Sequence, residues 1–160
     1  MPNIEDQKVS FRSLVNSIFT ADQLRRIQDD IRAISAMAFK IGAGSLSSQI
    51  KTKVGPSMYL YILSLEAENK LPRAASLGSF FTELSGFLDS IDKITLTLAF
   101  EPSLDFQKEI AQWLEKNLGK KIVCDFVVDE RIIAGLIIEY HGIYKDYSKA
   151  AEIESQIIRT

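Results

Sequence analysis

Between Ile91 and Lys93 the hydrophobic period of this chain changes, and no single type of secondary structure spans both sides of that change. Upstream, Leu77, Phe80, Phe81, Leu84, Phe87, Leu88 and Ile91 recur at intervals of three and four, the spacing of one buried helix face. Downstream, Ile94, Leu96, Leu98 and Phe100 alternate with Thr95, Thr97 and Ala99, the two-residue repeat of a half-buried strand. The chain therefore reads as two parts: an α-helical bundle over 1–92 and a small α+β domain with a mixed sheet over 93–160.

The first part carries further helical stripes. Phe11, Leu14, Val15, Ile18 and Phe19 predict a short amphipathic helix, and Leu24, Ile27, Ile31, Ile34 and Ala38 predict a longer one. Thr20 and Gln23 have the spacing of a capping box at the start of the longer helix. Gly42 suits the left-handed position that stops it. A short helix is expected near 46–53, and Gly55-Pro56 opens another that carries Tyr59, Ile62 and Leu63. In the second part, Ser103 predicts a helix cap and Gly119 the stop, with Phe106, Ile110, Trp113 and Leu114 as the buried face. Strands are expected at about 122–128 and 133–140, then a short return through Ile143 and Tyr144. Ser148 is expected to cap a last helix bearing Ile153 and Ile157.

Several kinds of chemistry are disfavoured by what the chain holds. The net charge is −2, with ten basic and ten acidic residues over 1–92 and nine and eleven over 93–160, which does not suit a phosphate-binding nucleic-acid partner. One cysteine, Cys124, and one histidine, His141, cannot furnish the usual shell of a zinc site or an intrachain disulfide. Gly42-Ala43-Gly44 follows a helix and lacks the third glycine of a dinucleotide fingerprint. A Ser-His-Asp arrangement would have to use His141 with Asp125, Asp129 or Asp146, but His141 precedes a turn glycine, where conformation alone accounts for a polar residue. The acidic pair Asp29-Asp30 reads as a solvated helix face. No catalytic, cofactor-binding or metal-binding residues are assigned, and no apolar run approaches the length of a membrane span. Apolar helix faces beyond what a core needs point instead to surfaces for other chains.

One stretch is distinctive enough to carry a resemblance. In "VVDERIIAGLIIEYHGIYKDYS", Asp129, Ile132, Ala134-Gly135, Leu136, Ile138, Gly142, Asp146 and Ser148 resemble the C-terminal signature of the delta subunit of F-type ATP synthase, the oligomycin-sensitivity conferral protein family. "FQKEIAQWLEKNLGKKIVCDF" is similar to the helix and strand that precede that signature, and "LEAENKLPRAASLGSFFTEL" to the family's linker and long helix. The match covers about residues 60 to 158, after a shortened, divergent N-terminal half, and departs from the usual pattern at Glu139, Tyr147 and Ala150.

The resemblance implies a non-catalytic peripheral-stalk subunit without cofactors. It would link the catalytic head to the b-type stalk and resist rotor torque during proton- or sodium-driven ATP synthesis, on the cytoplasmic side of the cell membrane. Its implied partners are N-terminal helices of alpha subunits and the ends of b-type subunits, reached by helix-in-groove contacts. Phe11, Leu14 and Ile18 with Tyr59, Ile62 and Leu63 are the expected alpha-binding groove, and Ile133, Ile153 and Ile157 the expected surface for the b-type end. Asp129, Ala134, Gly135, Gly142, Asp146 and Ser148 form the structural signature. The alternative is a free-standing adaptor that reuses the fold outside an ATP synthase.

Overall fold

The structure is a computed structural model that describes residues 11–37 and 44–149. Contacts divide the chain into two units, Met1–Ile18 with Gln23–Ser90 and Phe19–Asp22 with Ile91–Thr160. Expectations for Ala38, Gly42, Ile153 and Ile157 fall outside the described residues.

In the first unit, residues 11–15 are helical and are followed by α1 (Ala21–Met37), α2 (Leu46–Ile50), α3 (Pro56–Ala67) and α4 (Ala74–Asp89). The stripes predicted from spacing are the buried ones: Leu24, Ile27, Ile31 and Ile34 on α1, and Leu77, Phe80, Phe81, Leu84 and Leu88 on α4. Burying each such side chain stabilises the fold by about 1.5–3 kcal/mol. Phe11 anchors the first helical turn, with its ring 5.3 Å from Phe80 and 5.9 Å from Phe87.

Polar ties fix the helix ends. Asp30 is not one of a solvated pair, as its sequence suggested. Its carboxylate accepts the Gly55 N–H at 3.0 Å, at the mouth of α3, where the helix N-terminus favours negative charge. The carboxylate of Glu66, near the end of α3, accepts the Ser47 N–H in α2 at 3.0 Å.

In the second unit, β1 (Asp92–Leu98), α5 (Leu104–Leu118), β2 (Ile122–Val128), a 3-10 turn (Glu130–Ile132), β3 (Leu136–Tyr140) and β4 (Ile143–Asp146) build a four-stranded sheet of order β2-β1-β3-β4. β1 and β2 are parallel, joined through α5, while β3 and β4 are antiparallel, so the sheet is mixed. Ser103 and Gly119 bound α5 as their chemistry predicts: the Ser103 hydroxyl accepts the Phe106 N–H, and Gly119 takes a left-handed φ of 68°. Ile94, Leu96, Ala111, Leu114, Ile122 and Cys124 form the core beneath the helix. Phe19, expected on a helical stripe, packs against this core instead, and its carbonyl accepts the Cys124 N–H at 2.9 Å. Burial pushes the Cys124 thiol up to about 12, so it packs as a small apolar group.

Three expectations change. β1 ends at Leu98, and the bend after it carries Phe100 out to stack edge-on with Phe106, leaving it half exposed. Trp113 lies on the rim of α5, because Ala111 and Leu114 occupy the line that faces the sheet. β3 begins at Leu136, not at 133, because the backbone turns at Ile133 and again at Gly135, both with positive φ.

Gly135 marks the tightest approach in the unit. A Cβ there would lie 2.3 Å from the Tyr147 carbonyl oxygen and 2.9 Å from Ser148 Cα, and its φ is +94°. The Gly135→Ala variant should lose about 3 kcal/mol through overpacking and backbone strain. The Gly142→Ala variant, strained but uncrowded, should lose about 1 kcal/mol. Denaturant melts followed by Trp113 fluorescence report this unit, and equal losses for the two variants would contradict the close-approach account.

Candidate interaction surfaces

The signature residues of the second unit are accounted for by the path of the chain. Asp129 opens the 3-10 turn by accepting the Arg131 N–H at 3.0 Å and holds the Arg131 guanidinium through two further bonds of 2.8 and 2.7 Å. That pairing lowers the Asp129 carboxyl to about 2. Ala134 donates to the Ile132 carbonyl at 2.8 Å and accepts the Lys149 N–H at 2.8 Å, so it is held from both sides. Tyr147 donates to Leu136 O at 2.9 Å, continuing the β3–β4 pairing past Asp146. The Asp146 carboxylate accepts the Ser148 N–H at 2.7 Å, and Ser148 is buried where the chain crosses Gly135.

His141 and Gly142 form the two-residue β3–β4 turn, with φ of 49° and 76°. His141 Nε2 lies 3.0 Å from Asp92 Oδ1 and not beside Asp125, Asp129 or Asp146. Asp92 also accepts Tyr140 OH at 3.2 Å and pairs with Lys120, whose ammonium sits 5.4 Å from the Tyr140 ring centre. One carboxylate thus clasps the start of β1, the loop before β2 and the β3–β4 turn. Lys120, then His141 and Tyr140, hold the Asp92 carboxyl below its ordinary value. The triad possibility is not assembled: the carboxylate that His141 meets is Asp92, while Asp129 and Asp146 are bonded to Arg131 and Ser148. Among the described residues, no three His, Cys, Asp or Glu side chains form a group that could hold a metal ion. No helix among them is long and apolar enough to cross a membrane.

In the first unit, Phe11, Leu14, Ile18 and Ile62 are buried, Tyr59 is half-buried, and Leu63 is exposed. The expected groove residues therefore separate into core and surface. α3 is apolar nearly all round. Met58, Tyr61, Ile62 and Leu65 face inward, while Leu60 (61% exposed) and Leu63 (42%) stand in solvent on the opposite side with Pro56, Ser57, Ser64 and Ala67. A separate open groove of about 510 Å³ runs between α1 and α4, lined by Ile31, Arg32, Ser35, Phe81, Thr82, Ser85, Gly86 and Asp89. Asp89, one of the lining residues, accepts a hydrogen bond from the Gln28 side chain at 2.7 Å. Leu60 escaped sequence reasoning because a helix apolar nearly all round gives little signal of which side faces outward. In the second unit Ile133, expected at the surface, is 65% exposed.

The acid response follows from the carboxylates. Asp92, Asp129 and Asp146 all sit below 3.8 in the folded chain, held down by Lys120, Arg131 and Ser148 respectively. The unfolded chain therefore binds more protons, and their stabilisation is present above about pH 4 and lost as pH falls toward 2. Asp30, raised by burial, acts with the opposite sign in the first unit. Between pH 4 and 2, the Trp113-monitored denaturation midpoint should fall less steeply in the variant carrying Asp92→Asn, Asp129→Asn and Asp146→Asn than in the parent. Identical slopes would remove these three groups from the account.

Residues 44–156 match the family model of the ATP synthase delta (OSCP) subunit. ATP synthase subunit delta of Maridesulfovibrio salexigens is 23% identical over 154 residues, covering 94% of this chain and 73% of that protein. The same subunit of Solidesulfovibrio magneticus is 30% identical over 112 residues, covering 69% of this chain and 61% of that protein. That of Rickettsia canadensis is 25% identical over 155 residues, covering 91% and 78%.

Proposed function

The chain belongs to the ATP synthase delta (OSCP) subunit family, and we propose that it ties the catalytic head of an F-type ATP synthase to the b-type stalk, with one unit for each partner. In this family the subunit is a non-catalytic part of the peripheral stalk, and other ATP synthase subunits are its partners. The observation that carries the reading is the family match over 44–156, which runs through parts of both units. The free-standing adaptor is not favoured, since that match and the collinear relatives all belong to ATP synthase.

In the proposed arrangement, the first unit receives N-terminal helices of the alpha subunits. The supporting features are the exposed Leu60–Leu63 strip beside half-buried Tyr59, and the open α1–α4 groove. Both are elongated along helices, the shape that an amphipathic helix fills. The second unit meets the b-type end near Ile133, with Ile153 and Ile157 proposed as part of the same contact. Attachment on the cytoplasmic side of the membrane then comes through these partners. The mechanical task is to resist torque, and two contacts on one chain resist it better than either alone because the second forms at high effective concentration.

A double variant, Leu60→Asp with Leu63→Asp, should fold with the parent's Tm, since both side chains already face water. It should bind a peptide of the alpha N-terminus at least about tenfold more weakly, the loss expected of central apolar anchors. Leu14→Asp instead places a charge in the core and should unfold the first unit. Unchanged alpha-peptide affinity in the double variant would sink the assignment of this strip.

A further inference from the structure

β4 forms one lateral edge of the sheet, and each of its residues, Ile143–Asp146, is exposed. In the hairpin closed by His141 and Gly142, Tyr140 and Ile143 face each other and exchange backbone hydrogen bonds. The same phase returns at Ile138 with Lys145, and Tyr147 N–H donating to Leu136 O at 2.9 Å continues it past the strand. The N–H and C=O of Tyr144 and Asp146 therefore point away from β3. Among the described residues, no strand pairs with that side.

The two edges of the sheet differ. At the β2 edge, Thr20 bridges to Cys124 and the Phe19 carbonyl accepts the Cys124 N–H at 2.9 Å, so the chain's own segment takes up part of that edge. At the β4 edge the backbone groups stand open beside Ile143 and Tyr144, two residue types that favour strands. No proline and no bulge interrupts this edge, and Lys145 is the one feature that guards it.

The backbone and Lys145 together define what fits. A helix has already spent its N–H and C=O groups internally, so only an extended segment can bond Tyr144 and Asp146. When a second copy pairs antiparallel so that Tyr144 of each exchanges bonds with Asp146 of the other, Lys145 stands opposite Lys145, and like charges in that position are unfavourable. A strand with Glu or Asp there turns the repulsion into attraction. Ile143 lies on the same face as Lys145, so a β-branched residue two positions from the acid completes the match.

We propose that the open β4 edge receives an extended acidic segment of another polypeptide as an added antiparallel strand, bonded through the backbone of Tyr144 and Asp146 and selected by Lys145. This goes beyond the stalk reading and does not depend on it.

The test adds the blocked peptide Thr-Val-Thr-Glu-Thr-Val-Thr to the full chain and follows amide exchange and chemical shifts by NMR. Without peptide, the amides of Tyr144 and Asp146 should exchange faster than those of Lys145 and Tyr147. With peptide at about ten times its Kd, both should slow about tenfold. A twin with Lys in place of Glu should bind about threefold more weakly at low salt, and Lys145→Glu should invert that order. A second twin, N-methylated at the Thr residues that flank Glu, keeps its side chains but loses the backbone donors and should bind at least about tenfold more weakly. Equal binding of the charge twins, an order unchanged by Lys145→Glu, or full binding of the methylated twin would each overturn the proposal. So would a chain that binds none of them, or one that dimerises through Tyr144 and Asp146 without peptide, which would make a second copy the occupant. Recovery of ATP synthase subunits with the chain tests the stalk reading separately from all of these.

Discussion

The second unit depends on the crossing at Gly135, where the chain that leaves β4 passes over the chain that enters β3. Nothing larger than hydrogen fits between Gly135 and the Tyr147–Ser148 backbone. From that approach follow the extended hairpin bonds at Leu136 and Ala134, the burial of Ser148, and the turn that ejects Ile133 from the strand. A residue that looks like a gap in an apolar run is thus the point where two segments are brought into contact. The flanking signature residues serve the same end: Asp129 starts the turn, Ala134 is bonded on both sides, and Asp146 fixes the exit.

The polar interactions of the chain are consistent with a scaffold. Asp30 and Glu66 each accept a backbone N–H from another helix or its mouth, and Asp92 gathers three elements at one end of the sheet. Each joins pieces of a unit and none is aimed at a substrate. Among the exposed side chains, the large apolar ones include Leu60 and Leu63 in the first unit and Phe100, Leu104, Val128 and Ile133 in the second. The proposed attachment at two places draws on these residues. For a stalk under torque, stiffness within each unit matters as much as affinity, and both units derive it from buried stripes and from polar bonds at element ends.

Much of this architecture was legible before any coordinates, because its signals are local. Ser103 and Gly119 bound α5 through chemistry carried by single residues, and the α4 stripe needed only its spacing. β4 was readable only as a short return, since its four residues are exposed on both faces and show no alternation. The turn at Ile133 was hidden, because Ile in an apolar run argues for a strand and only the Gly135 crossing overrides it. Interaction residues were the hardest to read. Phe11, Leu14, Ile18 and Ile62 were chosen for being apolar, but apolarity in a small unit reports burial first. Leu60 lies on a helix whose mostly apolar composition obscures its outer side.

The most direct measurement is recovery of the tagged full chain from its own cells in mild detergent, with mass spectrometry of what accompanies it. The account predicts ATP synthase alpha, beta and b-type subunits in fixed proportion to the chain. A chain recovered without any of them would contradict its place in the peripheral stalk.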